Sequence, residues 1–341
     1  MSPKGGPPPD GERSVDLEGP YDFDETVRFL PFGRYDPACR RGPGQLWKAG
    51  RTPDGPVTLQ VRRTSRGVAA RAWGAGSAWA LERVPAIAGL EDDPARFTAP
   101  PGPVASLARR GRGLRLPRSP WVFDGLAEYV LQQRVAFRDA ARSHRRLVES
   151  LGAPAPGPPG LLLPLGPAEW LGLADGDLRQ AGIDGQRARA LRAAARAAKL
   201  VESAFERDAA GARRVLASVP GCGPWTVEIT MGFVLGDPDA VPTGDLHLPQ
   251  QVGQALAGEP RADDARMLEL LEPYRGSRFR LLRLLLAAGR IRLGRATVAA
   301  AGREPGGRGS EGAGGRQSAE PSWSRVPRPG WRSRPWPPAG G

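Results

Sequence analysis

Apolar positions along the chain recur with two different periods, and the change of period divides it. Between residues 44 and 73 there are short β-like runs, 44–49, 57–62 and 68–73, separated by turn signals such as Pro53-Asp54-Gly55. A mostly apolar helix is expected over 78–90. Beyond residue 105 the helical period takes over. Phe123, Leu126, Ala127, Val130, Leu131 and Val135 form one stripe within 121–150. An Ala/Arg helix over 187–201 reads as a solvated face, and further helices are expected over 225–235, 249–256 and 263–271. An apolar stretch over 273–289 closes the pattern. The expected organisation is a small α+β N-terminal domain over 18–105, then a mostly α-helical domain over 106–300. An Arg/Gly linker (109–118) joins them, and a Pro/Gly loop (153–160) interrupts the second. Residues 1–17 are rich in Pro, Gly and charge, and 301–341 in Gly, Pro, Ser, Arg and Trp. Neither has periodicity, and both are expected to be disordered.

The densest local signal is VPGCGPWTVEITMGFVLGDPDAVPTGDLHL, residues 219–248. The end of a helix around 213–218 is followed by Pro220-Gly221-Cys222-Gly223-Pro224, which reads as a tight hairpin. A helix follows, with Trp225, Ile229, Phe233 and Val234 near one face, and then a Gly/Pro-rich loop ending on Asp245. Two glycines let a backbone approach a partner closely, and the start of the second helix offers unpaired N–H groups at a positive dipole end. That combination suits a phosphate, and a grip on phosphates carries no base identity. An ordinary helical corner is the alternative, and taken alone P-G-x-G-x favours it. Asp245 at the mouth of the next helix is equally compatible with a plain N-cap.

The charge balance adds a partner class. The 341-residue chain carries +13 at neutral pH, with a pI near 10.9, which suits a polyanion. Of 49 basic residues only Lys4, Lys48 and Lys199 are lysines. Two cysteines, Cys39 and Cys222, exclude a disulfide framework and a four-cysteine iron–sulfur cluster, and suit a reducing compartment. The opening residues lack a signal-peptide core and no apolar run approaches ~20 residues, so a soluble, cytoplasmic, nucleoid-associated protein is expected. The tail beyond Gly302 has seven arginines against three glutamates. His144 and His247 are the only histidines and form no metal-ligand set.

On the hairpin, the loop and Asp245, the chain resembles the helix-hairpin-helix DNA glycosylase superfamily. The nearest branch is the 3-methyladenine DNA glycosylase II (alkylbase) type, whose hairpin also reads P-G-x-G-x-W-T. Pro20-Tyr21-Asp22 with the later Phe29-Leu30 resembles the opening of that branch's N-terminal domain, and Pro273-Tyr274-Arg275 a segment before its last helix. The resemblance implies an α+β N-terminal domain followed by a helix-hairpin-helix glycosylase domain. The implied function is excision of alkylated, 3-methyladenine-like bases in base excision repair, the base being flipped out of double-stranded DNA. Asp245 takes the catalytic position, where a carboxylate stabilises the cationic sugar left as the base departs. Trp225, Phe29, Leu246 and Ile229 fall at pocket positions. The two aromatics suit a cationic purine, while Ile229 and Leu246 stand where aromatics occur in relatives, and Arg283 falls near another such position. Gly221, Gly223, Thr226 and Gln133 fall at DNA-contact positions, with Arg134 at the wedge.

Lyase-competent relatives carry lysine where Trp225 stands, so the resemblance implies a monofunctional hydrolase without lyase activity. It also implies no required cofactor, with a monovalent cation on the carbonyls of Ala217, Val219 and Cys222, and a monomer. Two alternatives stay open. One is a DNA-binding repair module with weakened catalysis. The other is a glycosylase for a different lesion, such as hypoxanthine or an etheno base.

Overall fold

The computed structural model describes residues 7–32, 35–99 and 101–292. The described residues group as one compact unit. The tail expected over 301–341, and residues 1–6 of the expected disordered start, lie outside the described residues.

The N-terminal region is built on one antiparallel sheet. Its elements are β1 (Gly11–Asp16), α1 (Phe23–Thr26), β2 (Cys39–Gly42), β3 (Gln45–Thr52), β4 (Gly55–Arg63) and β5 (Gly67–Trp73), and the strand order is β1-β5-β4-β3-β2. The three β-like runs are β3, β4 and β5, with Thr52 opposite Gly55 across the Pro53-Asp54 turn. The expectation that all of 1–17 is disordered is corrected here, because Gly11–Asp16 pairs along β5 from Gly11↔Ala72 to Asp16↔Gly67. As an edge strand it is mostly exposed, so it carries no apolar alternation for a sequence reading to find.

The expected single helix over 78–90 is two short ones, α2 (Ser77–Glu82) and α3 (Val84–Ile87), broken where Pro85 follows Arg83 and Val84. One face of the sheet buries Leu46, Val57, Leu59 and Val61 against Phe23, Val27, Leu81 and Ile87. Trp121 belongs to this same cluster, although it immediately precedes a helix of the next region that starts at Val122.

The helical region comprises α4 (Pro103–Arg110), α5 (Val122–Leu131), α6 (Phe137–Leu151), α7 (Pro167–Gly172), α8 (Asp175–Gln180), α9 (Gly185–Arg196), α10 (Ala198–Glu202), α11 (Ala209–Ala217), α12 (Pro224–Phe233), α13 (Leu248–Ala257), α14 (Asp264–Leu271) and α15 (Arg278–Ala287). Among the described residues no helix is long and apolar enough to cross a membrane. The stripe expected over 121–150 is two helices, α5 and α6, parted by Gln132–Ala136. The α9–α10 segment is not a solvated face. Ala188, Leu191 and Ala194 are core, and buried Arg187 donates to the carbonyls of Leu131 (3.0 Å) and Gly182 (2.8 Å). Nor is 109–118 a loose linker, since Leu114, Arg115 and Leu116 are buried.

The sheet and the helices are stitched at named points. The Trp121 indole donates to the Arg51 carbonyl at 2.9 Å, and a Cβ on Gly50 would lie 2.3 Å from that indole nitrogen. Arg280 of α15 pairs with Asp92, whose other oxygen accepts from the Leu116 N–H at 2.9 Å. Arg283, one turn on, donates to the Glu25 carbonyl at 3.0 Å.

Candidate active site

The end of α11, the hairpin and α12 form a helix, a tight turn and a second helix. The turn closes when the Cys222 N–H donates to the Val219 carbonyl at 3.0 Å. Gly221 has φ +89, and a Cβ there would lie 2.6 Å from the Ala190 Cβ on α9, so both conformation and packing require glycine. Gly223 is different: its φ is −78 and a Cβ would meet no atom within 4 Å. The fold leaves Gly223 free, and the space beside it lies at the N-terminus of α12, where N–H groups face outward.

Gln133 and Thr226, expected to touch DNA, are turned inward. The Gln133 amide donates to the Gly221 carbonyl (2.9 Å) and to Thr226 Oγ1 (2.8 Å), and Thr226 is buried. Their side chains brace the hairpin from the α5 end. Arg134 is next to them, exposed, at φ +57, the one non-glycine residue at positive φ among the described residues. A bulky side chain held in that region marks a loop tip constrained by its surroundings. Its guanidinium donates to Gln186 Oε1 at 3.4 Å.

Asp245 is held from two directions. Oδ1 accepts from the His247 and Leu248 N–H groups, each at 2.9 Å, at the start of α13, and Oδ2 accepts from the Trp225 indole at 2.9 Å. The loop that delivers it is itself anchored. Arg213 clamps Glu228 at 2.7 and 3.1 Å, and Glu228 accepts from the Val241 N–H at 3.3 Å. Arg278 clamps Asp239 at 2.7 and 2.5 Å. Immediately before the acid, Gly244 (φ +82) donates to Asp264 Oδ2 at 2.8 Å. The result is a half-buried carboxylate held in a fixed orientation at a helix N-terminus.

The expected pocket residues separate. Trp225 packs edge-on to Tyr129 (6.4 Å between centroids), Tyr129 tilts against Phe233 (6.3 Å), and Phe233 meets Phe29 (5.0 Å). This row of four rings begins at Asp245 and ends under the N-terminal region. Tyr129 and Phe233 are members that sequence reasoning did not place there, although Phe233 lies two turns after Trp225 on α12. One expectation is corrected: Ile229 is 2% exposed and belongs to the core. Leu246, next to Asp245, is 81% exposed and stands outside the row.

The faces of Phe29 and Phe233 are occupied by Arg283, whose guanidinium carbon lies 4.9 and 5.5 Å from the two ring centres. Arg283 is 1% exposed and has an unpartnered Nε, and burial pushes its pKa down to about 10. A cation therefore already stands over Phe29, one of the two rings expected to attract a cationic base.

No protein-family model matches this chain. Over 140 residues, 40% of its length, it is 34% identical to proteins of two Mycobacterium tuberculosis strains, CDC 1551/Oshkosh and ATCC 25618/H37Rv, each named a probable bifunctional transcriptional activator/DNA repair enzyme AlkA. The match spans only 28% of those relatives' own length. Among solved structures, the 3-methyladenine DNA glycosylase from Archaeoglobus fulgidus superposes with a TM-score of 0.66 at 19% identity, over 80% of this chain and 97% of that one. The 8-oxoguanine glycosylase/lyase of Clostridium acetobutylicum, in complex with double-stranded DNA, gives 0.60 at 14% identity, over 85% and 99%.

Proposed function

We propose that this chain, whose fold and hairpin are those of the helix-hairpin-helix DNA glycosylases, is a monofunctional DNA glycosylase of base excision repair. It binds damaged double-stranded DNA, turns one base out of the stack and hydrolyses its N-glycosidic bond. The observation that carries this reading is Asp245, aligned by two helix N–H groups and by an indole. Its proposed role is electrostatic: held in place by its three donors, it faces the sugar as positive charge develops there. Trp225 positions that carboxylate, and Gly223 with the α12 N-terminus takes a phosphate. Arg134 enters the space that the base vacates. A monovalent cation on the carbonyls of Ala217, Val219 and Cys222 goes with the reading. The Val219 carbonyl already accepts one N–H, and a set of neutral carbonyls suits a singly charged ion.

Hydrolysis without lyase chemistry rests on the lysines. Among the described residues there are two. Lys199 is exposed on α10, and Lys48 is buried on β3. Burial acts to lower the pKa of the Lys48 ammonium, but Asp124, Cys39, Glu128 and Asp36 outweigh it and hold it above its ordinary value, so it is a poor nucleophile. Borohydride is expected to trap no covalent adduct. A trapped band that disappears with Lys48→Met would convert the reading to a lyase.

For the lesion, Arg283 favours a second reading over the alkylbase one. A buried guanidinium against Phe29 and Phe233 repels a cationic alkylated purine and can donate to a neutral one. Excision assays on duplexes carrying 7-methylguanine, hypoxanthine or ethenoadenine, followed by alkaline cleavage, test both levels. Strand cleavage at none of them defeats the glycosylase reading, and preference for the cationic base defeats the second.

A further inference from the structure

Where β3 meets α5, a cleft is lined by the rings of Phe29, Tyr129 and Phe233 and by the side chains of Lys48, Asp124 and Glu128. The three rings are the far part of the row that starts at Asp245. Of the three ionisable groups only Asp124 has a fully buried side-chain oxygen without a partner, while Glu128 is half-buried and Lys48 sits in the field of Asp124, Glu128 and Asp36. Lys48 is 5% exposed, and its ammonium has no hydrogen bond or ion pair among the described residues. Its neighbour is the ring of Trp121, 5.3 Å from the centroid. Asp124 Oδ2 is buried without a partner, and the Glu128 carboxylate, one helical turn along, accepts no hydrogen bond. A buried polar group left unpaired costs on the order of 1–3 kcal/mol, and a charge more. Direct pairing would remove that cost, yet the donor and the two acceptors are held apart around a gap.

We propose that Lys48, Asp124 and Glu128 form the subsite that reads the polar edge of the flipped base, and that its ligands are neutral bases presenting a hydrogen-bond donor beside an acceptor. The proposal rests on the glycosylase reading. The core of the cleft holds about 20 Å³, which is room for one water-sized group. An edge enters it; a ring does not. The gap lies beside Phe29, Tyr129 and Phe233, at the end of the aromatic row away from Asp245.

The chemistry of the gap is specific. The Lys48 ammonium offers only donors, so the edge must carry an acceptor. The carboxyls supply acceptors for the N–H beside it. Burial first, then the neighbouring Asp36, raises the Glu128 pKa well above its ordinary value, and burial pushes Asp124 up to about 6. Hypoxanthine, with its carbonyl next to a ring N–H, has such an edge. Ethenoadenine is also neutral, but its N1 and exocyclic nitrogen are tied into a second ring, and it has no N–H there to give. A site built to hydrogen-bond an edge discriminates strongly against an analogue that lacks it, because its own buried groups then stay unpaired.

The test uses the full chain on duplexes containing either base, with single-turnover excision rates for wild type, Lys48→Met and Glu128→Gln. Binding of free hypoxanthine by equilibrium dialysis is measured alongside. Circular dichroism establishes that each variant folds, and if Lys48→Met does not, Glu128→Gln decides. The expected result is a fall of about tenfold or more in the ratio of hypoxanthine to ethenoadenine excision, with a matching loss of free-base binding. Equal rate losses on the two bases, or no loss, would overturn the subsite while leaving the glycosylase reading in place. The reverse outcome, free hypoxanthine bound through Lys48 with no excision of any base, would defeat the glycosylase reading and keep the subsite.

Discussion

Asp245 and Asp124 stand at the two ends of one aromatic row and live under opposite conditions. Asp245 receives three N–H donors within 2.9 Å. Asp124 has a buried oxygen with none. The first is a charge that the fold prepares in advance, at a helix N-terminus and beside an indole, so its geometry is fixed before any ligand arrives. The second is a charge that the fold leaves in debt, opposite a lysine that it does not let close. A saturated carboxylate is suited to acting through its field, and a starved one is suited to accepting from whatever enters. On the proposed reading, chemistry belongs to the near end of the row and recognition to the far end.

The largest effect should come from neutralising the saturated acid. Asp245→Asn keeps the size and the helix-capping geometry and removes the charge. Loss of one preorganised electrostatic group commonly costs about 10²–10³ in rate, so excision should fall at least that far while DNA affinity, read by gel shift, stays within about twofold. Asn retaining most of the excision rate would remove Asp245 from the chemistry. Asp124→Asn, by contrast, should fold and still release base. If the two variants behaved alike, the division of labour would be wrong.

Trp225→Phe should have the next largest effect. It removes the indole N–H at 2.9 Å from Oδ2 and keeps a ring against Tyr129. A hydrogen bond to a charged group is worth roughly 1.5–3 kcal/mol, but two backbone donors still hold Oδ1, so about a tenfold loss in single-turnover rate is expected. The loss should appear in the rate and not in DNA affinity. A change confined to affinity would make Trp225 a binding residue.

The starved acid has a pH signature. Burial raises the Asp124 pKa from 3.8 to about 6. The native state therefore holds a proton that the unfolded chain has released, so this contribution to stability is fully present below about pH 4 and is lost as pH rises through about 6. This net shift, which already includes the opposing pull of Lys48 and Arg51, corresponds to at most roughly 3 kcal/mol. Urea unfolding of wild type and Asp124→Asn at pH 4.5 and 8 reads it. The variant should gain on the wild type as pH rises. A pH-independent difference would mean that Asp124 finds a partner after all.

The two ends of the row were unequally legible in the sequence, for a physical reason. Hairpin, loop and acid lie within residues 219–248, and each is announced by local chemistry: glycines where φ is positive, prolines at turns, an acid before a helix. The far end is assembled from β3, α5 and α12, so no window of sequence contains it. Two signals for it did exist. Lys48 shares the inward face of β3 with Leu46, a polar residue in a core register, and it is one of three lysines among 49 basic residues. The mutual contact of Gln133 and Thr226 was not legible for a related reason. Their types suit a phosphate, and only the path of α5 past the hairpin shows that they bond each other. The split between α5 and α6 escaped because apolar spacing runs through it, and its mark is conformational, the positive φ of Arg134.

Arg134 gives the smallest effect and bears on what the row is for. Extruding a base costs a few kcal/mol of unpairing and unstacking, and a side chain that fills the gap offsets part of it. Arg134 is exposed and stands at a loop tip with φ +57, where arginine and alanine carry the same Cβ cost and glycine would relieve it. Arg134→Ala is therefore the cleaner deletion. Its planar guanidinium can stack on neighbouring bases and pair with phosphate, so its loss should slow excision a few-fold from a well-paired lesion and less from the same lesion in a mismatch, where extrusion is already easier. Single-turnover rates on the two duplexes, at saturating protein, separate the roles. Slowing confined to the paired duplex places Arg134 in the vacated space. Equal slowing in both, following a loss of affinity, makes it a phosphate contact, and the base would then have to be drawn out by the row and the gap beyond it.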